Sequence, residues 1–220
     1  MPKIVNRPAK VRTVADLLQR LGNIPPERIW LRPVPGTATE QDVIDIETHE
    51  NRLCELVDGV LVEKTVGYFE SRLALVLGYY IELFLDRHDL GIVLGADGAV
   101  RLMPGLVRIP AVSFLSWDKF PNRELPVEPI PDLAPDLAVE VLSEGNTPEE
   151  MRRKLREYFQ AGVRLVWLID PATQSAEVYT SPRKKRIITS GQVIDGGSVL
   201  PGFGLRLQEL FTRAGRQRKR

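Results

Sequence analysis

Hydrophobic residues recur at helical spacing in some parts of the chain and at strand spacing in most of the remainder. The helical pattern predicts a short helix over residues 13–21 and a long helix over 67–90. Apolar runs on both sides of Asp58-Gly59 predict a β-hairpin, and short runs between turns over residues 91–115 predict an antiparallel meander. The chain should therefore combine helices with many short strands.

A further helix, over residues 148–161, has the clearest boundaries. Thr147 can cap its N-terminus, Glu150 takes the N3 position of a capping box, and Gly162 ends it. The strand patterns PDLAVEVLS and VRLVWLID flank this helix, and the right-handed crossover rule makes residues 137–169 a βαβ unit with parallel strands. With antiparallel hairpins around this unit, the predicted fold class is α/β (α+β), a mixed central sheet flanked by helices.

Composition limits the classes of protein that the chain can represent. Its 220 residues are 43% hydrophobic and 27% charged with a net charge of +1, as in ordinary globular proteins. No run reaches the ~18 apolar residues of a membrane span, and the first residues lack the apolar core of a signal peptide, so we expect a cytoplasmic protein. One cysteine and two histidines exclude a Cys/His zinc site of the usual spacing.

The chain divides into three parts on these patterns. We interpret residues 1–50 as a loosely attached N-terminal arm with a short helix, because a Pro-rich stretch follows that helix. Residues 51–212 carry the strand and helix patterns of the main domain. Residues 213–220 are strongly basic and are predicted to form a disordered tail.

Glu140 is the most informative single residue. It stands in the middle of the apolar strand LAVEVLS, and burial of a carboxylate without a partner costs several kcal/mol. A cation, a metal or strong hydrogen-bond donors would offset that cost. The alternatives are an edge strand with one face in water, or a structural ion pair.

Lys154 is the candidate partner for this carboxylate. It borders the apolar stripe of the helix over 148–161, so its stem can lie along the sheet and its ammonium can reach the facing strand. The alternative is a solvated lysine in a basic run. A strand glutamate with a lysine from the next helix is the minimum of a metal-dependent phosphodiesterase site, in which the carboxylate and a backbone carbonyl hold Mg²⁺.

Several segments together resemble the Uma-two family of putative restriction endonucleases, within the PD-(D/E)XK nuclease superfamily. The resemblance implies a restriction-endonuclease-like core and a DNA endonuclease that uses Mg²⁺ or Mn²⁺. It assigns the metal-binding acid to Glu140, a metal-binding backbone carbonyl to Val141 and the site lysine to Lys154. Glu70 matches an acidic position that orients the metal's water shell, although a helix-flank surface residue explains it equally well. The matching segments are ELVDGVLVEK, GIVLGADGAVRLMPGLVRIP, VSFLSW, PDLAVEVLSEGNT, KLREYFQAGVRLVWLIDP and LPGFGLRL.

Ala111 is the main departure from the family pattern. The family reads PDVSF where this chain reads Pro110-Ala111-Val112-Ser113-Phe114, so the family's second metal-binding carboxylate is missing. The chain is then a degenerate nuclease or a deliberately inactivated version of one. We expect Ala111 to border the cleft that Glu140 lines and cleavage to be weak or absent.

Local basic clusters are the candidate contacts to DNA, because Lys and Arg neutralise phosphates. Solubility and loop exposure are the plain alternatives. A duplex-cutting nuclease of this size would act as a two-fold homodimer. The competing functions are a DNA-binding or protein-interaction module that kept the nuclease fold without catalysis and, with less support, a small-molecule hydrolase. The clusters are Arg152, Arg153 and Arg156; Arg183, Lys184, Lys185 and Arg186; and the basic residues of the C-terminal tail.

Overall fold

The computed structural model describes residues 11–215. The helices of this part are α1 (Val14–Leu21), α2 (Glu40–Glu50), α3 (Tyr68–His88), α4 (Pro148–Gln160) and α5 (Leu207–Ala214). Its strands are β1 (Cys54–Val57), β2 (Val60–Glu63), β3 (Gly91–Leu94), β4 (Val100–Met103), β5 (Leu106–Arg108), β6 (Val112–Ser116), β7 (Leu137–Val141), β8 (Leu165–Asp170), β9 (Ser175–Ser181), β10 (Lys184–Ile188), β11 (Val193–Gly196) and β12 (Leu200–Arg206).

A six-stranded sheet in the order β10-β9-β8-β7-β6-β3 forms the centre of the fold. Strands β7 and β8 are parallel and their connection contains α4, whereas the other neighbours in this sheet are antiparallel. The predicted βαβ unit and the mixed central sheet are therefore confirmed.

Alternation along β7 sends its side chains to two different cores. Leu137 and Val139 pack on the face covered by α3 and α5. Ala138 packs on the opposite face, against Leu155 and Tyr158 of α4. The same alternation places Glu140 on the α4 face, which positions the candidate site.

The predicted meander over residues 91–115 is wrong, because its strands belong to two sheets. β3 and β6 pair in the central sheet, whereas β4 and β5 join the β1–β2 hairpin in a four-stranded sheet of order β2-β1-β5-β4. Pro110 separates β5 from β6 and has no N–H to donate. The N–H of Ala111 then donates to the carbonyl of Val139, which starts the pairing of β6 with β7.

The N-terminal segment is not loosely attached over its described residues. It contains α2 as well as the predicted short helix, and Leu17 and Leu21 of α1 are buried against the core that includes Met151. Thr147 Oγ1 donates a hydrogen bond to the carbonyl of Gly22. These contacts fix α1 against the start of α4. The proposed domain boundaries themselves stay a prediction.

The first residue of the predicted disordered tail is part of a helix. Arg213 lies in α5, and its guanidinium stacks over the rings of Tyr79 and Tyr80 at 4.5 and 5.5 Å. The remaining basic residues of the tail, 216–220, lie outside the described residues. Over residues 11–215, no helix is both long enough and apolar enough to cross a membrane.

Candidate functional site

Glu140 and Lys154 meet between the central sheet and α4, as the sequence predicts. Lys154 Nζ lies 3.0 Å from Glu140 Oε1, and the hydroxyl of Tyr158 donates to the same oxygen at 2.6 Å. All three residues are buried. The alternatives of a wet edge strand for Glu140 and a solvated side chain for Lys154 are thereby excluded, whereas the catalytic roles of both residues stay predictions.

The start of α4 sets the direction from which these donors reach the sheet. Thr147 caps the helix by accepting a hydrogen bond from the N–H of Glu150, as expected, and Pro148 takes the first helical position. Lys154 and Tyr158 are four residues apart and therefore share one face of the helix. That face packs on the strand that carries Glu140.

Glu55 is a central residue of the site that the sequence analysis missed. It lies on β1 and is 1% exposed. Its carboxylate accepts hydrogen bonds from Arg108 Nη1 at 2.6 Å, Lys154 Nζ at 3.0 Å and the N–H of Ile109 at 3.2 Å. The available signal was the one that identified Glu140, a single carboxylate within an apolar strand.

Positive neighbours keep Glu55 ionised in spite of its burial. Burial alone would raise the pKa of this carboxyl, but the charges of Lys154 and Arg108 hold the pKa well below its usual range. Burial likewise opposes the charge of Lys154, but the Glu140 and Glu55 carboxylates raise its pKa above the usual value. Lys154 is therefore an ammonium that can donate hydrogen bonds or orient a ligand, and it is not a base near neutral pH.

The ion pairs continue away from this centre through Arg108. Its guanidinium also pairs with Glu157 of α4, and Glu157 accepts a further hydrogen bond from Arg153 at 2.6 Å. Arg153 reaches Asp58 at 2.9 Å. The network alternates in sign and joins the four-stranded and the six-stranded sheet to α4. Arg153, predicted as a contact to DNA, is thus engaged within the protein.

A pocket beside Glu140 brings the predicted site residues together. Ala111 is 8% exposed and lines this pocket with Glu140, which confirms that the two border one cleft. Val141, Lys154 and Glu70 line it as well, and so do Arg28, Lys64, Thr65, Val66, Ser71, Ala74, Ala96 and Asn146.

Arg28 closes one side of the pocket. Its guanidinium forms two hydrogen bonds with the Glu150 carboxylate, at 3.0 and 2.8 Å, and one with the carbonyl of Gly145 at 2.9 Å. The predicted capping box at α4 is therefore incomplete, because the Glu150 carboxylate binds Arg28 while its N–H binds the cap. This bidentate pair connects the N-terminal segment to the site.

Lys64 is a second lysine of the pocket, and the sequence analysis gave it no role. Its Nζ donates to the carbonyl oxygens of Ala96 at 2.7 Å and of Pro110 at 3.3 Å. Burial lowers the pKa of Lys64 to about 8, although the Glu140 carboxylate opposes the shift. The ammonium is held next to position 111. A lysine that directly follows a strand is usually solvated, so no sequence pattern pointed to this arrangement.

The other predicted DNA contacts lie along a neighbouring cleft or on an exposed edge. Arg152 and Lys185 line a cleft that shares Glu70 and Asn146 with the pocket. The charges of these two residues are partly compensated, because Arg152 pairs with Glu149 and Lys185 pairs with Glu177 at 2.5 Å. Arg186 is likewise paired, with Asp195 at 2.7 Å. Arg156, Arg183 and Lys184 are exposed.

The side chains present do not fit a divalent metal ion well. Over residues 11–215, no group of three or more His, Cys, Asp or Glu side chains is placed to hold a metal. Glu140 Oε1 already accepts two hydrogen bonds, Ala111 has no ligand atom, and the Lys64 ammonium lies beside them. Glu140 Oε2 and the Val141 carbonyl alone would leave most of the coordination shell to water.

Comparison with known proteins gives the class of this fold. A crystal structure titled as a putative nuclease belonging to DUF820, from Anabaena variabilis, is similar with a TM-score of 0.65. The alignment covers 74% of this chain and 91% of that chain, at 18% sequence identity. The mixed central sheet and this similarity place the chain among proteins with a nuclease fold.

The family follows from the sequence match. The model of the Uma2 family, described as "Putative restriction endonuclease", matches residues 41–208. The chain belongs to this family. No protein with a curated description matches the chain.

Proposed function

We propose that this protein binds DNA through a nuclease-type site whose phosphodiester hydrolysis is impaired by alanine at position 111. The observation that supports the proposal is the Glu140–Lys154 pair, at 3.0 Å, in the same pocket as Ala111. Restriction endonuclease-like families use divalent metals, and a site completed at position 111 would use Mg²⁺ or Mn²⁺.

The chain's own residues have separate roles in this proposal. The Lys154 ammonium, fixed between two carboxylates, presents positive charge to a phosphate or orients a water molecule. If a metal ion were bound, Glu140 and the Val141 carbonyl would be its oxygen ligands on β7. Glu70 lines the pocket and would orient solvent there. An aspartate at position 111 would supply the second carboxylate.

DNA would reach this pocket along the adjoining cleft. Arg152 and Lys185 lie on the cleft wall, and Arg156 extends the basic surface of α4. Each Lys or Arg that neutralises a phosphate releases counterions, so this binding is salt-dependent and independent of base sequence. We further propose a homodimer, since cutting two strands of a duplex suits two-fold symmetry. We also propose a cytoplasmic location.

A non-catalytic DNA-binding module is the second candidate function. The methyl group at position 111 and the ammonium of Lys64 next to it favour this candidate, because both make the pocket less suited to a metal. The two candidates differ in whether restoring the carboxylate restores cleavage.

Plasmid relaxation with Mg²⁺ or Mn²⁺ tests the proposal. The assay compares three proteins at equal concentration: the unsubstituted protein, Ala111→Asp, and the double variant Ala111→Asp/Glu140→Gln. Losing a metal ligand of this kind costs on the order of a thousandfold in rate. We therefore expect little nicking by the protein as written, metal-dependent nicking by Ala111→Asp, and loss of that gain in the double variant.

Ala15→Asp is the matched control, because it adds an aspartate on the exposed surface of α1. It should leave nicking unchanged. Equal nicking by the protein as written and by Ala111→Asp would show that position 111 is not a ligand site. If Ala111→Asp folds and binds DNA but does not nick the plasmid with either metal ion, the result would favour the non-catalytic module.

A further inference from the structure

We infer that the ammonium of Lys64 is the resident cation of this pocket and stands where a metal-dependent nuclease would hold its divalent ion. The pocket of the unsubstituted protein then discriminates against Mg²⁺ and Mn²⁺ for two reasons, the methyl group of Ala111 and the positive charge of Lys64. The inference rests on the proposed location of the site, in the pocket shared by Glu140 and Ala111.

The hydrogen bonds of Lys64 use oxygens of the kind that a hard cation binds. An ammonium has three N–H donors, and two of those of Lys64 go to the carbonyls of Ala96 and Pro110 at 2.7 and 3.3 Å. Mg²⁺ binds carboxylate and carbonyl oxygens as well. Pro110 immediately precedes position 111, so the ammonium lies beside the missing ligand and not at a distant part of the pocket.

The charges around the pocket also favour the ammonium as its cation. Among the surrounding charges, the Glu140 carboxylate attracts Lys64 most strongly, and Glu140 also pairs directly with Lys154. The Glu140 carboxylate therefore faces two lysines, of which Lys154 also pairs with Glu55. A divalent ion entering beside Glu140 would meet the repulsion of both ammonium groups in a site of low dielectric constant.

Lys64 is held in this position by the backbone. Its N–H donates to the carbonyl of Leu53 at 2.8 Å, directly after β2 ends at Glu63. The side chain runs from that point to carbonyls that precede β4 and β6. A lysine that only improved solubility would extend into water, where its ammonium is better hydrated.

Mn²⁺ binding, followed by the paramagnetic resonance signal of the free ion, tests this inference on the full chain. Ala111→Asp is the reference, because it carries both carboxylates of the proposed site. Adding Lys64→Gln should lower the Kd for one Mn²⁺ ion at least tenfold. Adding Lys64→Arg, which keeps the charge, or Arg87→Gln, which removes an exposed charge from α3, should leave the Kd within twofold.

An unchanged Kd in folded Ala111→Asp/Lys64→Gln would overturn the inference. Lys64→Met is measured in parallel in case the glutamine variant does not fold. In the protein as written, the Lys64 Cε resonance gives a readout without any substitution. It should not shift with Mg²⁺ at millimolar concentration, and a saturable shift would contradict the inference.

The same variants separate this inference from the proposed function. Tight Mn²⁺ binding by Ala111→Asp/Lys64→Gln without nicking would support the role of Lys64 and contradict the endonuclease chemistry. Equal Mn²⁺ affinity and equal nicking by Ala111→Asp with and without Lys64→Gln would support the endonuclease site and contradict the role of Lys64.

Discussion

Replacing Glu55 by glutamine should destabilise this protein more than replacing any exposed carboxylate. Glu55 accepts hydrogen bonds from Arg108, Lys154 and the N–H of Ile109, and it is 1% exposed. Glutamine has nearly the same shape, but it removes the negative charge and turns an N–H₂ group toward one of the two cations. The buried positive charges would then be left with too little compensation.

The expected loss of stability is large because Glu55 and its charged partners, Arg108 and Lys154, are all buried. Breaking a buried ion pair by removing one partner costs about 3–5 kcal/mol. Domains are stable by about 5–15 kcal/mol, so Glu55→Gln would remove a large part of the total. With a urea m value of about 2.5 kcal/mol/M, the unfolding midpoint should fall by about 1–2 M.

Urea unfolding followed by tryptophan fluorescence measures this change, with Glu149→Gln as the control. Glu149 lies on α4, and its ion pair with Arg152 is exposed. We expect the control to lose no more than about 1 kcal/mol. If Glu55→Gln lowers the free energy of unfolding by less than about 1 kcal/mol at an unchanged m value, the reasoning is refuted. Glu55 would then not be needed to neutralise the buried charges of Arg108 and Lys154.

Two further predictions concern pH and salt. The pKa of Lys64 falls from 10.5 to about 8 on folding. Between pH 8 and 10.5 the unfolded chain binds more protons at this residue than the folded one. The free energy of unfolding, measured relative to that of Lys64→Met, should therefore rise with pH in this range. A difference between the two proteins that does not change with pH would contradict the burial of the ammonium. Arg156→Gln should reduce the salt dependence of duplex binding, measured by fluorescence anisotropy, by roughly one counterion. An unchanged slope would remove Arg156 from the DNA surface.

Local patterns were sufficient to predict the parts of the fold that local chemistry determines. The cap and first turn of α4 follow from Thr147 and Pro148, and the hairpin turn follows from Asp58-Gly59, which have φ values of 53° and 73°. The contact between Glu140 and Lys154 was also predictable. It depends only on a strand, the next helix and the cost of burying a carboxylate without a partner.

The features that the sequence did not reveal depend on residues far apart in the chain. Glu55 and Lys154 are separated by 99 residues, and Arg28 and Glu150 by 122. No local spacing connects such pairs. Similarly, the alternating pattern over residues 91–115 predicts strands correctly but contains no information on which sheet each strand joins.

The position of Lys64 shows the same limit at the site itself. A lysine after a strand is ordinarily solvated, and only the folded chain places the carbonyls of Ala96 and Pro110 around its ammonium. The resemblance to a nuclease family identified the missing carboxylate at Ala111. It did not indicate that a positive charge stands beside it.

We propose that position 111 and Glu140 are the two sides of one metal site, which alanine at position 111 leaves incomplete. Anomalous diffraction at the manganese edge tests this proposal on Mn²⁺-soaked crystals of Ala111→Asp/Lys64→Gln and of the unsubstituted protein. We predict a peak between the Glu140 carboxylate and the side chain at position 111 in the double variant, and none there in the protein as written. A manganese peak at Glu140 in both crystals would contradict the proposal. A peak at any other position in the variant would contradict it as well.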